Sequence, residues 1–392
     1  MLFMSEFVEC RALLRELAGP GEDQVVAAPG RVNLIGEHID YHNLPVMPIA
    51  MRRAIHIAWR PRTDRLIRAV ANGYGQREFY WNDGLTPAFA GDWENYLRAA
   101  AQAVAGKWGA GTGIDAAVTS DLPPAAGLSS SSALIVAVTL ALLRARGVSA
   151  SFEELMEVLP DGEHFVGTRG GGMDHAASLD SRAGCASLIE FAPVRLRPVP
   201  VPADWAFLVS HSMTTAEKSG AAREEYNVRR AAGYSALVRL GFSDYRQALA
   251  ASNPESMAAR LDAGPERDSY LHTITEAIRV REAVNAMERS DAIAFGDLLN
   301  ASHASLRDRL KVSTAALDRL TSDAVASGAL GARLTGAGFG GCAVVFCRRG
   351  DVARVRDGLV ARYYAERRGF DPGSHLILAE PGPGALHRNV TE

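Results

Sequence analysis

An α+β fold in two units is what this sequence predicts, on three observations. Its 392 residues exceed what one ordinary core serves. Strand-like runs come first, helical patterns fill the middle, and strands return near the end. Residues 193–204 hold four prolines and little periodicity, which marks a boundary. The units are accordingly placed at residues 1–196 and 197–392.

In chain order, residues 7–18 form an amphipathic helical pattern ended by Gly19-Pro20-Gly21. Residues 25–28 read as a short strand running into Pro29-Gly30, and 54–59, 66–71, 114–119 and 186–191 as further strands. Helices are expected over 96–108 and 131–146. The second half opens with a buried strand at 205–210. It is then helical to about residue 328, with breaks at Gly241, Asn253-Pro254 and Gly264-Pro265. Strands return at 343–347 and 375–379 with a helix between them.

Composition removes several functional classes. With 47% hydrophobic and 22% charged residues the chain is of the soluble globular type. A net charge of -3 argues against a nucleic-acid partner. Cys10, Cys185, Cys342 and Cys347 form no C-x-x-C pair, so neither a zinc framework nor a redox motif is indicated, and a reducing compartment fits. Glu6 and Glu9 interrupt what a signal peptide would need. The longest apolar run, residues 133–143, is shorter than the roughly 20 residues of a membrane helix. A cytoplasmic protein without a membrane partner is expected.

Three segments carry chemistry. The first, Pro29-Gly-Arg-Val-Asn-Leu-Ile-Gly-Glu-His-Ile-Asp-Tyr41, places Arg31, Glu37, His38 and Asp40 within ten residues after a strand. Carboxylates accept hydrogen bonds and imidazole does either, so such a group can grip several hydroxyls. A polar surface turn is the plainer reading. His38 and His42 lack the glutamate of a zinc-protease motif.

In the second, Leu122-Pro-Pro-Ala-Ala-Gly-Leu-Ser-Ser-Ser-Ser-Ala-Leu134, four serines follow Gly127-Leu128 and open an apolar helix. A helix N-terminus offers unpaired N–H groups and partial positive charge to a phosphate. Serine hydroxyls add donors and an oxygen ligand for Mg²⁺. Ordinary capping would need one serine. The third, Leu334-Thr-Gly-Ala-Gly-Phe-Gly-Gly-Cys-Ala-Val-Val-Phe346, formally matches a dinucleotide fingerprint, but it leads into a strand instead of a helix. A glycine loop shaping a site, or a structural hairpin loop, fits better. Between the second and third lies Glu163-His-Phe-Val-Gly-Thr-Arg-Gly-Gly-Gly-Met-Asp174, where glycines precede a single acid.

Together these segments resemble the GHMP kinases, and within them the galactokinase branch. Gly30-Arg-Val-Asn-Leu-Ile-Gly-Glu-His-x-Asp-Tyr41 resembles the galactokinase signature, Gly127-Leu-Ser-Ser-Ser131 the phosphate-binding motif, and Thr335-Gly-x-Gly-Phe-Gly-Gly-Cys342 the third motif. Weaker matches are Tyr226-Asn-Val-Arg-Arg230, Glu276 with Arg279, and Ser302-His-x-Ser-Leu-Arg307. The resemblance implies a two-domain GHMP kinase fold, with an N-terminal domain like the second domain of ribosomal protein S5 and a ferredoxin-like C-terminal domain. It also implies transfer of phosphate from ATP to a sugar O1 with Mg²⁺, in a monomer or weak homo-oligomer.

Carried over residue by residue, the resemblance makes Asp174 the catalytic base and Arg31 the arginine beside it. It makes Glu37, His38, Asp40, Gly171 and Tyr226 the sugar contacts. Gly127, Leu128, Ser129, Ser130, Ser131, Gly336 and Gly338 fall at the nucleotide, and Ser131 and Glu163 at the metal. Departures cluster at the sugar end: Ile39, His42-Asn43-Leu44-Pro45, Gly170 and His175, with Ala125 at the phosphate loop. Some of these resemble the N-acetylgalactosamine kinase subgroup. Galactose, N-acetylgalactosamine and a related sugar therefore stand as substrates, with a non-catalytic sugar sensor as the alternative of another class.

Overall fold

The computed structural model describes residues 7–82, 84–123, 127–165, 171–214 and 221–388. Helix α1 (Val8–Ala18) buries Cys10 and Leu14, one helical turn apart, against the first sheet. Strand β1 (Gln24–Ile35) is buried at every position after its first. It does not stop at Pro29-Gly30 as its sequence suggests. The register against β2 (Met47–Pro61) shifts between Pro29 and Arg31, where residues 51–53 of β2 stand opposite Gly30 alone, and β1 continues through the irregularity. The first chemical segment therefore begins on a strand, with Arg31 and Asn33 in the ladder.

After β2 come β3 (Leu66–Ala71), β4 (Gly75–Tyr80), α2 (Glu94–Trp108) and β5 (Ile114–Ser120). The five strands order as β1-β2-β5-β3-β4, with β5 parallel to β3 and all other pairs antiparallel. Helix α3 (Ser130–Ala145) is apolar nearly all round, as a helix covered on every side must be. It lies against β1 and β2, with α2, α4 (Phe152–Phe165) and α5 (Met173–Asp180) packed around it. Strands β6 (Cys185–Glu190) and β7 (Arg195–Pro200) form a separate hairpin. The proline-rich stretch thus holds a strand, and residue 196 falls inside it; a two-stranded ribbon has only edges, where proline is tolerated.

Strand β8 (Trp205–His211) opens the second sheet. A helical run follows: α6 (Ala221–Leu240), α7 (Tyr245–Leu249), α8 (Pro265–Glu288), α9 (Ala292–Ser305) continuing into a π-turn, and α10 (Ala315–Ala326). Then come β9 (Gly331–Thr335), β10 (Cys342–Arg348), α11 (Val352–Leu359), α12 (Pro372–His375) and β11 (Leu376–Ala379). The antiparallel order is β11-β8-β10-β9.

Alternation along β8 sorts its side chains onto two faces. Trp205 and Phe207 meet Phe346 at 4.7 and 5.3 Å and Phe295 at 4.9 and 6.1 Å. Ala206 and Leu208 join Leu317, Leu320 and Leu359 on the other face. Truncating an aromatic in such a cluster typically costs about 3–5 kcal/mol. Past β11 the chain returns to the first sheet. The Arg52 N–H donates to the Glu380 carbonyl at 3.1 Å, Gly382 N–H to Ala50 at 2.8 Å, and the Arg388 guanidinium to Arg52 at 2.7 Å.

Candidate active site

The site is built where β1, the start of α3, the start of α5 and the β9–β10 loop converge. Just past the register shift between β1 and β2, the Arg31 N–H donates to the Leu128 carbonyl at 3.0 Å. Its guanidinium donates to the Gly127 carbonyl at 2.9 Å and to Asp174 Oδ1 at 2.7 Å. This approach requires Gly30: a Cβ there would stand 2.6 Å from the Leu128 carbonyl oxygen.

Ser129 precedes α3 in a left-handed conformation, φ 56°. Its hydroxyl does not cap its own helix but donates to Asp174 Oδ2 at 2.6 Å. Ser130 and Ser131 form the first turn of α3, half-buried, where leading N–H groups have no intrahelical partner. Asp174 lies in the first turn of α5, where the helix end favours negative charge. Burial acts to raise its pKa. The Arg31 charge and the bonds from Ser129 and Arg31 outweigh it and hold the carboxyl below its usual range. Asp174 keeps a quarter of its side chain open (25%) against 7% for Arg31, so the carboxylate faces the cleft.

Asp40, in a single helical turn after β1, shares this pocket. Its Oδ2 accepts the Gly171 N–H at 3.1 Å. Gly171 is bound to be glycine: a Cβ would lie 2.5 Å from the Asp40 carbonyl carbon and 2.6 Å from its carboxylate. Burial, reinforced by the Asp174 charge, pushes Asp40 up to about 7. His38 is held neutral by burial, down to about 3. Its Nδ1 meets the Tyr41 hydroxyl at 3.1 Å and its Nε2 the Ala337 carbonyl at 3.1 Å. A carbonyl only accepts, so Nε2 carries the proton and Nδ1 accepts from Tyr41. Tyr226 on α6 stands over both rings, 5.1 Å from His38 and 5.2 Å from Tyr41.

Glu37 is the most buried of the signature acids, at 3% exposure. Its Oε2 accepts from Arg333 at 2.7 Å and Asn33 at 2.5 Å, and its Oε1 from the Gly336 N–H at 2.6 Å. A carboxylate has about four acceptor sites, so Oε1 retains one for a further donor. The third glycine segment therefore leans on the first. It also faces the second: a Cβ on Gly336 would lie 3.7 Å from the Gly127 carbonyl, and Gly338 packs against Val312.

The structure thus brings together Arg31, Glu37, His38, Asp40, Gly127, Leu128, Ser129, Asp174, Gly171, Tyr226 and Gly336. His42 is elsewhere, its ring enclosed by Tyr41, Tyr234 and Tyr245 at 4.7, 4.9 and 4.6 Å. Glu163 belongs to α4, but its side chain, like Gly170 and Ala125, is outside the described residues. Sequence reasoning missed Arg333, Asn33 and His272. His272 Nε2 meets the Glu37 carbonyl at 3.0 Å, while Glu276 on the same helix accepts the Gly36 N–H at 3.0 Å. The one signal for Arg333 was a charged residue set between Ala332 and Leu334, just ahead of the third glycine segment. Among the described residues no helix is long and apolar enough to cross a membrane.

Comparison with known proteins agrees with this geometry. Residues 15–61 match the galactokinase galactose-binding signature, 95–182 the GHMP kinases N terminal domain, and 283–365 the GHMP kinases C terminal family. The galactokinase of Roseiflexus sp. (strain RS-1) is 35% identical over 388 residues, covering 97% of this chain and 98% of that protein. That of Chloroflexus aurantiacus is 35% identical over 87% of this chain and 88% of its own. The crystal structure of Lactococcus lactis galactokinase complexed with galactose superposes with a TM-score of 0.88 at 27% identity, over 97% of this chain and 99% of that one. With its signature, phosphate motif and glycine loop gathered at one cleft, the chain belongs to the galactokinase family of the GHMP kinases.

Proposed function

We propose that this protein transfers the γ-phosphoryl group of ATP to O1 of galactose, releasing galactose 1-phosphate and ADP. The observation that carries the reading is the Arg31–Asp174–Ser129 triplet, which sets an ionised carboxylate between the sugar signature and a helix N-terminus.

Phosphoryl transfer asks the protein mainly for positioning and charge stabilisation. In this reading Glu37, His38, Asp40, the Gly171 segment and Tyr226 hold the sugar with O1 beside Asp174. Asp174 accepts the O1 proton, and Arg31 keeps it ionised while offsetting charge that develops on the transferred group. Ser130, Ser131 and the N–H groups of the first turn of α3 receive the nucleotide's phosphates, with Gly127, Leu128, Gly336 and Gly338 closing around it. Ser131 and Glu163 would hold Mg²⁺. The Ser131 hydroxyl, half-buried at the helix start, is an oxygen donor of the type this ion takes. Bound there, Mg²⁺ supplies neutralisation of the phosphate charge. The units we assign are residues 1–196 and 197–392, with β7 at the seam.

The test is ADP formation from Mg·ATP with galactose, N-acetylgalactosamine, glucose, mannose and arabinose at equal concentration. Galactose is expected to lead by a wide margin, and Asp174→Asn to keep galactose binding while losing about 10²- to 10⁴-fold in kcat. Turnover led by another sugar overturns the substrate, and wild-type turnover in the variant overturns the base.

A further inference from the structure

Arg333 occupies the middle of β9 with no exposed surface. Its neighbours Ala332 and Leu334 point into the core shared with α10, whereas Arg333 and Thr335 point to the end of β1. There the Arg333 guanidinium donates to the carbonyls of Asn33 and Leu34 at 3.1 and 3.0 Å and to Glu37 Oε2 at 2.7 Å. The ladder partner of Asn33 is Pro48, which has no N–H to give, so the Asn33 carbonyl draws its donors from β9. Glu37 Oε1 takes the Gly336 N–H, one residue beyond β9 and at the start of the third glycine segment. One carboxylate thereby joins the sugar signature to the loop that closes on the nucleotide.

We propose that Arg333 is a positioning residue which orients the Glu37 carboxylate so that galactose and nucleotide bind cooperatively. The planar guanidinium fixes Oε2 and two β1 carbonyls at once, which leaves the remaining acceptor site of Oε1, beside the Gly336 amide, as the adjustable end. A sugar hydroxyl donating to that acceptor site shares Oε1 with the Gly336 amide, so occupancy of one site sets the position of the other. Such coupling is reciprocal, and typical values lie between about 5- and 150-fold. The inference rests on the galactokinase reading and extends it to the relation between the two substrates.

The experiment measures the galactose Kd by calorimetry, with and without a saturating non-hydrolysable ATP analogue and Mg²⁺. Wild type is expected to bind galactose at least about fivefold more tightly with the analogue present. Arg333→Lys keeps the charge but loses the fork, and its ratio should fall to near one while each ligand still binds alone. A measurement on wild type needs no variant: galactose alone should slow hydrogen exchange at the Gly336 amide. Galactose binding with no coupling, full coupling in R333K, or an unchanged Gly336 amide overturns the inference and leaves the galactokinase reading standing. A wild-type protein that binds no galactose removes that reading, and the inference with it.

Discussion

The hydroxyl of Ser129 donates to Asp174 Oδ2 at 2.6 Å across the gap between the starts of two helices. Serine at such a position ordinarily caps its own helix. Here the left-handed backbone turns the side chain outward, so a phosphate-loop residue tunes the proposed base. The contact links the two chemical tasks of the site before any substrate arrives.

Replacing Ser129 by alanine removes one of the interactions that hold Asp174 low. With less support for the ionised form, the Asp174 pKa must rise. The acid limb of the kcat/KM profile against pH is expected to move to higher pH, so that the loss relative to wild type is greatest at the acid end of the profile and smallest at pH 8, as befits a base lost by protonation. A profile that drops uniformly at all pH values would show that Ser129 acts on the phosphates alone.

Gly171→Ala puts a methyl group 2.5 Å from the Asp40 carbonyl carbon, so the Asp40 turn or the α5 entry must move. Misplacement of about 1 Å at a reacting centre can cost about 10²-fold. The expected result is a galactose KM raised at least about tenfold and an ATP KM within about twofold of wild type. Initial-rate kinetics in both substrates decide it; parallel rises in both KM values would place the damage in the fold.

The pH dependence of stability isolates Asp40. Its carboxyl rises from 3.8 to about 7 on folding, first through burial and then through the Asp174 charge. Between those values the folded protein retains a proton that the unfolded chain has released. Asp40 is therefore least unfavourable below about pH 4, and stability is lost as pH climbs through 7. Asp40→Asn should gain on wild type as pH rises, by up to about 4 kcal/mol at pH 8 at 1.36 kcal/mol per unit. Urea midpoints of both proteins at pH 5 and pH 8, without ligands, test this; an equal gap at the two pH values would contradict it.

Much of this architecture is legible from local pattern, and the exceptions share a cause. Leu66–Ala71 and Ser130–Ala145 announce themselves because one is a short, mostly apolar run and the other carries a long, nearly apolar stretch behind its serines. Strand β1 hides its second half because Pro29-Gly30 punctuates it, and only the β2 ladder shows that the chain runs on. Strand β9 goes unassigned in the sequence, because Arg333 interrupts a five-residue stretch that runs straight into the third glycine segment. What neutralises that charge is Glu37, 296 positions away in sequence, and no local window contains both. The same holds within the site. Arg31, Asp40 and Asp174 come from motifs, whereas the network beneath them, with Arg333 and His272, exists only in the fold.

The late strand β11 and the tail stitched to β2 carry a consequence for biosynthesis. A ribosome releases β2 early and β8 midway, yet both wait for residues 376–388 before their outer hydrogen bonds are met. Neither lobe is finished until residues 376–388 have been made, so both sheets close only after the helical run between them is complete. A transcript cut short ahead of Leu376 leaves β8 as a bare sheet edge, and a bare edge is a template for other nascent copies. This short segment guards the solubility of everything encoded before it.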